Sequence, residues 1–278
     1  MKVGFIGAGR VGSTAAYTLI NNLEIDEIVL VDILGDLAEG EALDLLHASY
    51  ALDKPAEIRG GTSYSLAEGC ELVVVTAGVA RKPGMSRMDL LRQNAEIMRK
   101  VAEELKQHCG GSVVLVVTNP VDIMTYVLWR ETGFPREKVI GMGGALDTSR
   151  LRSILRRPTR GLVLGEHGDG MFIYGEDRRF EEDVRSVAME VIRRKGATIF
   201  GPAASIYRMA KAILTDSQEI LPSSVVLEGE YGLRDVAIGV PAKLGRSGII
   251  EIIEIDEIRE ELSRSALVLL ERLREIGY

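Results

Sequence analysis

The chain has 278 residues, with 34 Lys plus Arg against 41 Asp plus Glu, a net charge of −7. Apolar residues make up 46% and charged residues 27%. That is the balance of a globular protein long enough to bury about three-quarters of its extended-chain surface. Intrinsic disorder and a fibrous repeat are excluded, and the acidic balance disfavours nucleic acid or an anionic membrane surface as a partner.

No apolar run approaches the ~18 residues that a membrane helix needs. The longest, over 72–80, already contains Thr76 and Gly78. The N-terminus enters a strand pattern directly, without a signal-peptide layout, so a cytoplasmic protein is expected. The two cysteines, Cys70 and Cys109, lack metal-site spacing and a disulfide framework, and read as buried free thiols. No His/Cys/carboxylate cluster has ligand spacing, so no metal is expected.

The first half alternates β-branched runs with helical patterns. Strands are predicted over 3–6, 27–32, 72–77, 112–117 and 138–141. Helices are predicted over 11–21, 37–49, 89–107 and 121–131. The runs at 72–77 and 112–117 are mostly apolar and β-branched, as strands covered on both faces should be. Strand–helix alternation implies an α/β fold with a parallel, doubly wound sheet.

The second half has helical patterns over 146–155, 181–194 and 203–214, with short strands flanking residues 165–169. Residues 225–253 read as strand segments broken by Gly229, Gly232, Gly239, Gly245 and Gly248, which suggests an antiparallel meander. A helix from about Glu257 carries Ile258, Leu262, Leu269, Leu273 and Ile276 at helical spacing. The expected organisation is a dinucleotide-binding domain over 1–143 and an α+β domain over 144–278.

Gly7-Ala8-Gly9-Arg10-Val11-Gly12 fits G-x-G-x-x-G between a strand and a helix. Asp32 ends the next strand, 20 residues after Gly12. That context makes the pattern a dinucleotide-binding fingerprint. Gly7 permits the tight turn, Gly9 lets backbone amides reach a pyrophosphate, and Gly12 allows close helix–sheet packing. The helix N-terminus favours the phosphates. Asp32 would accept hydrogen bonds from the adenosine ribose and repel a 2′-phosphate, which favours NAD over NADP.

Four more segments carry chemistry: Arg81-Lys82-Pro83-Gly84-Met85-Ser86-Arg87, Thr118-Asn119-Pro120-Val121-Asp122, Leu146-Asp147-Thr148-Ser149-Arg150 and Gly165-Glu166-His167-Gly168-Asp169. With them the chain resembles the lactate/malate dehydrogenase family over nearly its whole length, most of all the lactate-dehydrogenase-like malate dehydrogenases. The resemblance implies reversible hydride transfer between nicotinamide C4 and C2 of malate or oxaloacetate, in a homotetramer or homodimer. It implies that His167 moves the proton and that Asp147 fixes its tautomer. Arg150 stands where the family binds the C1 carboxylate, a task suited to a planar fork. The segment around Pro83 and Gly84 reads as a lid. Arg87 would polarise the carbonyl, and Arg81 would bind the second carboxylate of a dicarboxylate substrate. A lactate enzyme typically has Gln at that place. Thr118 and Asn119 would lie by the nicotinamide, with Asn119 also near the substrate. Asn94 is either a cofactor contact or a capping or solvated residue, and Ser224 is a candidate neighbour of the pocket.

Gly170 stands where the family usually has Ser or Thr, and Gly144 and Ala145 where a polar residue is common. A short-chain dehydrogenase is one alternative, since Tyr207 and Lys211 have its Y-x-x-x-K spacing, but the glycine pattern differs from that family's. L-Lactate dehydrogenase, or another 2-hydroxy acid dehydrogenase, is the nearer rival. A dinucleotide-binding sensor without turnover is a third reading, disfavoured by the complete set of Arg87, Asp147, Arg150 and His167.

Overall fold

The computed structural model describes residues 1–79 and 84–278, so Arg81 lies outside the described residues. The first half contains β1 (Lys2–Ile6), α1 (Arg10–Asn22), β2 (Glu27–Val31), α2 (Gly35–Ala51), β3 (Glu57–Gly61), β4 (Leu72–Val75), α3 (Arg87–His108), β5 (Val113–Val116), α4 (Val121–Thr132) and β6 (Val139–Gly141). These strands pair in parallel in the order β3-β2-β1-β4-β5-β6. Every residue of β4 and β5 is buried, because helices cover both faces of the sheet. The direction of winding reverses between β1 and β4, and a crevice for ligands opens there beyond the carboxyl ends of the strands.

The second half contains α5 (Gly144–Leu155), β7 (Leu162–Leu164), β8 (Phe172–Tyr174), α6 (Glu181–Lys195), α7 (Phe200–Leu214), β9 (Glu219–Glu228), β10 (Arg234–Gly245), β11 (Gly248–Ile252) and α8 (Arg259–Glu275). The expected meander is present as β9-β10-β11, antiparallel throughout. It also extends the parallel sheet, because β9 joins β6 through Gly141 and Ser224. One nine-stranded sheet therefore spans both halves. Gly239 does not break the meander as the sequence suggested. It lies inside β10 and exchanges backbone hydrogen bonds of 2.8 and 3.1 Å with Gly165, which pins the start of the His167 loop to the sheet.

Helix α8 buries Leu262, Ser265, Ala266, Leu269 and Leu273 along one stripe, close to the predicted apolar face. Cys70 and Cys109 are buried and free. Burial pushes their thiols up to about 12 and about 11, so neither is a reactive thiolate at neutral pH. No helix among the described residues is long and apolar enough to cross a membrane.

Candidate active site

The glycine loop follows β1 and leads into α1. At Gly7 (φ +107°) a Cβ would fall 2.7 Å from the Ala77 nitrogen, and at Gly12 it would fall 2.2 Å from the Gly7 carbonyl oxygen, so neither position has room for a side chain. Nothing lies within 4 Å of a Cβ built on Gly9, which leaves that backbone open to a ligand. No side chain caps α1 and its first turn has no acidic residue. The amides of Arg10, Val11 and Gly12 are thus available to an anion. Asp32 accepts from the backbone N–H of Ala8 (2.8 Å) and of Leu34 (3.0 Å), which ties the end of β2 to the glycine loop. A cavity of about 350 Å³ adjoins it, walled by Gly7, Asp32, Thr62, Gly78 and Val79 among others. An open glycine face, free helix amides and a carboxylate beside this cavity fit a dinucleotide.

Farther along the crevice, Asn94 is 1% exposed. Its amide accepts from Val79 N–H (2.9 Å) and donates to the carbonyls of Asn119 (2.7 Å) and Val79 (3.3 Å). It thereby joins the loop after β4 to the loop after β5. Thr118 is buried and donates to the Ala77 carbonyl at 2.7 Å. Asn119 is exposed at the carboxyl end of β5.

The catalytic candidates converge from three elements. Asp147 and Arg150 lie one turn apart on α5, and His167 follows β7. Asp147 Oδ2 is 2.5 Å from His167 Nδ1, and Asp147 Oδ1 accepts from Arg150 Nη1 at 2.7 Å. Burial opposes a charged imidazole, but the charge and hydrogen bond of Asp147 outweigh it and raise the His167 pKa above its ordinary value. The carboxylate fixes a proton on Nδ1 and leaves Nε2 as the exchanging nitrogen. Such a pair can pass a proton to a substrate oxygen near neutral pH.

Arg87 opens α3, where Ser86 and Asp89 form a capping box. Its Nη1 donates to Asp169 at 2.7 Å, and it remains 70% exposed. That pair brings the start of α3 to within two residues of His167. Ser224 is fully buried on β9, close to Asp122. The sequence reading gave no role to Asp122, whose carboxylate accepts from the backbone N–H of His167 at 2.7 Å. The structure also gives a reason for Gly170. A Cβ there would lie 2.8 Å from Glu166 Oε2 and 2.9 Å from Ser265 Oγ. Tyr207 and Lys211 lie on α7, with Lys211 exposed.

Comparison with known proteins agrees with this geometry. Residues 1–141 match the NAD binding domain of lactate/malate dehydrogenase, and residues 145–276 match its alpha/beta C-terminal domain. The chain belongs to the lactate/malate dehydrogenase family. It is 53% identical to the malate dehydrogenase of Archaeoglobus fulgidus, over 100% of both chains. The solved structure of a malate dehydrogenase from that organism in complex with NADH superposes with a TM-score of 0.96, at 53% identity and full coverage of both chains. L-Lactate dehydrogenase 1 of Clostridium acetobutylicum is 38% identical over 99% of this chain and 98% of its own. Within the family, the resemblance is thus stronger on the malate side.

Proposed function

We infer that this protein is an NAD-dependent malate dehydrogenase. The observation that carries the chemistry is the Asp147 carboxylate shared between His167 and Arg150. The full-length 53% identity to a malate dehydrogenase favours malate over lactate. NADH, when bound, supplies the hydride to substrate C2. In our reading residues 1–143 hold the dinucleotide, with the pyrophosphate over Gly7, Ala8, Gly9, Arg10, Val11 and Gly12 and the adenosine ribose at Asp32. Asn94 and Thr118 shape the nicotinamide end. Residues 144–278 supply His167, Asp147 and Arg150.

In the reducing direction His167 donates its Nε2 proton to the carbonyl oxygen while C2 gains the hydride, giving the alcohol. Asp147 stabilises the imidazolium beforehand. Arg150 grips the C1 carboxylate with the guanidinium nitrogens that Asp147 does not use. Arg87 leaves Asp169 to polarise the carbonyl, and Asn119 orients it. Arg81 takes the second carboxylate. With pyruvate that guanidinium would be closed in unpaired, at a cost of about 2–5 kcal/mol, or roughly 30- to 4,000-fold in preference.

We further propose a cytoplasmic homotetramer or homodimer. Leu43 and Tyr50, seven residues apart on α2, and Tyr17 on the neighbouring α1 are exposed apolar side chains suited to such an interface. The deciding experiment compares kcat/KM for NADH oxidation with oxaloacetate and with pyruvate. A large oxaloacetate preference that Arg81→Gln moves toward pyruvate supports the assignment. A wild-type preference for pyruvate makes this a lactate enzyme.

A further inference from the structure

Asp122 is a charged side chain in an interior place. It lies in the first turn of α4, two residues after Pro120 and three after Asn119, and is 3% exposed. Its only hydrogen bond among the described residues is the one that Oδ2 accepts from His167 N–H. Oδ1 is buried without a hydrogen bond among the described residues, and so is the hydroxyl of nearby Ser224. No arginine or lysine pairs with the carboxylate among the described residues. Burial lifts its pKa to about 6, against the opposing pull of the His167 backbone N–H and ring. An unpaired buried carboxylate is costly, and a mere backbone acceptor could be neutral. An asparagine at the same place would offer the same acceptor to His167 N–H without the charge.

We propose that Asp122 is a positioning residue for the reaction: it anchors the His167 backbone to the turn that presents Asn119, and its charge supports the protonated imidazole. Asn119 and His167 then move as one unit, although they come from opposite halves of the chain. The groups facing His167 are Asp147 and Arg150 from α5, Asp122 from α4, and Glu166 from its own loop, with the Arg87–Asp169 pair outside them. Arg150 lowers the ring's pKa, whereas Asp147 and Asp122 raise it. Asp122 is the one carboxylate of this group that touches the histidine through its backbone, so it fixes the place of the ring as well as its charge.

The inference rests on the malate dehydrogenase reading, and the test separates the two. The chain has three histidines, so histidine-labelled protein gives few ring signals, and His167→Asn assigns the one that matters. The ring of His167 is titrated by NMR in wild type, Asp122→Asn and Asp122→Ala, without cofactor or substrate. Both variants should lower its pKa. In turnover, Asp122→Asn keeps the acceptor and shifts the pH profile of oxaloacetate reduction toward acid. Asp122→Ala also loses the anchor, and kcat falls on the order of 10- to 100-fold with little change in the KM for NADH. An unchanged His167 titration in both variants overturns the electrostatic role, and a wild-type kcat in a folded Asp122→Ala overturns the anchoring role. If the wild type fails to reduce oxaloacetate, the functional reading falls while the titration still decides the part played by Asp122.

Discussion

The Nδ1 nitrogen of His167 lies 2.5 Å from Oδ2 of Asp147, and the other oxygen of that carboxylate holds Arg150 at 2.7 Å. One buried anion therefore holds both the histidine proposed as proton donor and the arginine proposed to bind the substrate's C1 carboxylate. Asp147→Asn should keep NADH binding, because the dinucleotide cradle is built from other residues. It should lower kcat for oxaloacetate by about 10²- to 10⁴-fold, since the imidazolium loses its counter-charge and its tautomer is no longer fixed. His167→Asn should do at least as much damage with cofactor affinity intact. Fluorescence titration of NADH beside steady-state kinetics reads both effects. A near-normal kcat in either variant removes the pair from the chemistry.

The raised pKa of His167 sets the direction of the pH dependence. Reduction needs the imidazolium and should fall as pH rises through the folded value, which lies above 6.5; malate oxidation needs neutral imidazole and should rise over the same range. Stability has the same sign for both raised groups. Asp122 goes from 3.8 to about 6, so its share is fully present below about 4 and is lost between there and about 6. Asp122→Asn lacks that loss. Its Tm relative to wild type should therefore climb as pH rises from 4 to 7 and then level off. A difference independent of pH would mean that the carboxylate keeps an ordinary pKa. Glu230 works oppositely: Arg136 holds it down to about 2, so its share is present above 4.5 and disappears as pH falls toward 2.

Strands covered on both faces announce themselves as unbroken apolar runs, so β1, β2, β4 and β5 were legible in the chain. The edge strand β3 was not. Only Ile58 is buried in Glu57–Gly61, and Glu57 and Arg59 around it followed by two glycines carry no apolar period long enough to read. Asp147 and Arg150 could be placed together because three residues is one helical turn. Their meeting with His167, 20 residues on, was expected from the family motifs and not from spacing. Asp122 escaped notice because its partner is a backbone amide 45 residues away, and main-chain donors leave no mark in a sequence.

Asp32 offers a test of cofactor choice. Its carboxylate accepts from Ala8 and Leu34 N–H, and in the proposed reading it meets the adenosine ribose, where it would repel a 2′-phosphate. Asp32→Ser should raise KM for NADH about tenfold or more, as charged acceptors of this kind are worth ~1.5–3 kcal/mol. The ratio of kcat/KM for NADPH over NADH should rise at the same time. If the ratio stays put while both values fall, Asp32 shapes the loop without selecting the cofactor.

Gly170 is one of the positions where this chain departs from the pattern its family resemblance implies, and its neighbours give a reason for the glycine. Glu166 Oε2 accepts from Gly170 N–H at 2.8 Å, and Ser265 Oγ on α8 accepts from Glu166 N–H at the same distance. Both oxygens occupy the space into which a side chain at 170 would grow. Gly170→Ser, the family-like substitution, should therefore harm this protein. Forcing the Cβ in costs about 1–3 kcal/mol, a Tm loss of roughly 2–10 °C for a chain of this size. Glu166 precedes His167, so the displacement also reaches the imidazole, and kcat should fall well before NADH binding does. Adding Ser265→Ala frees one of the two obstructions and should restore part of the Tm. A Gly170→Ser protein as stable and active as wild type would show that the loop relaxes without strain, and that the glycine is not required by Glu166 and Ser265.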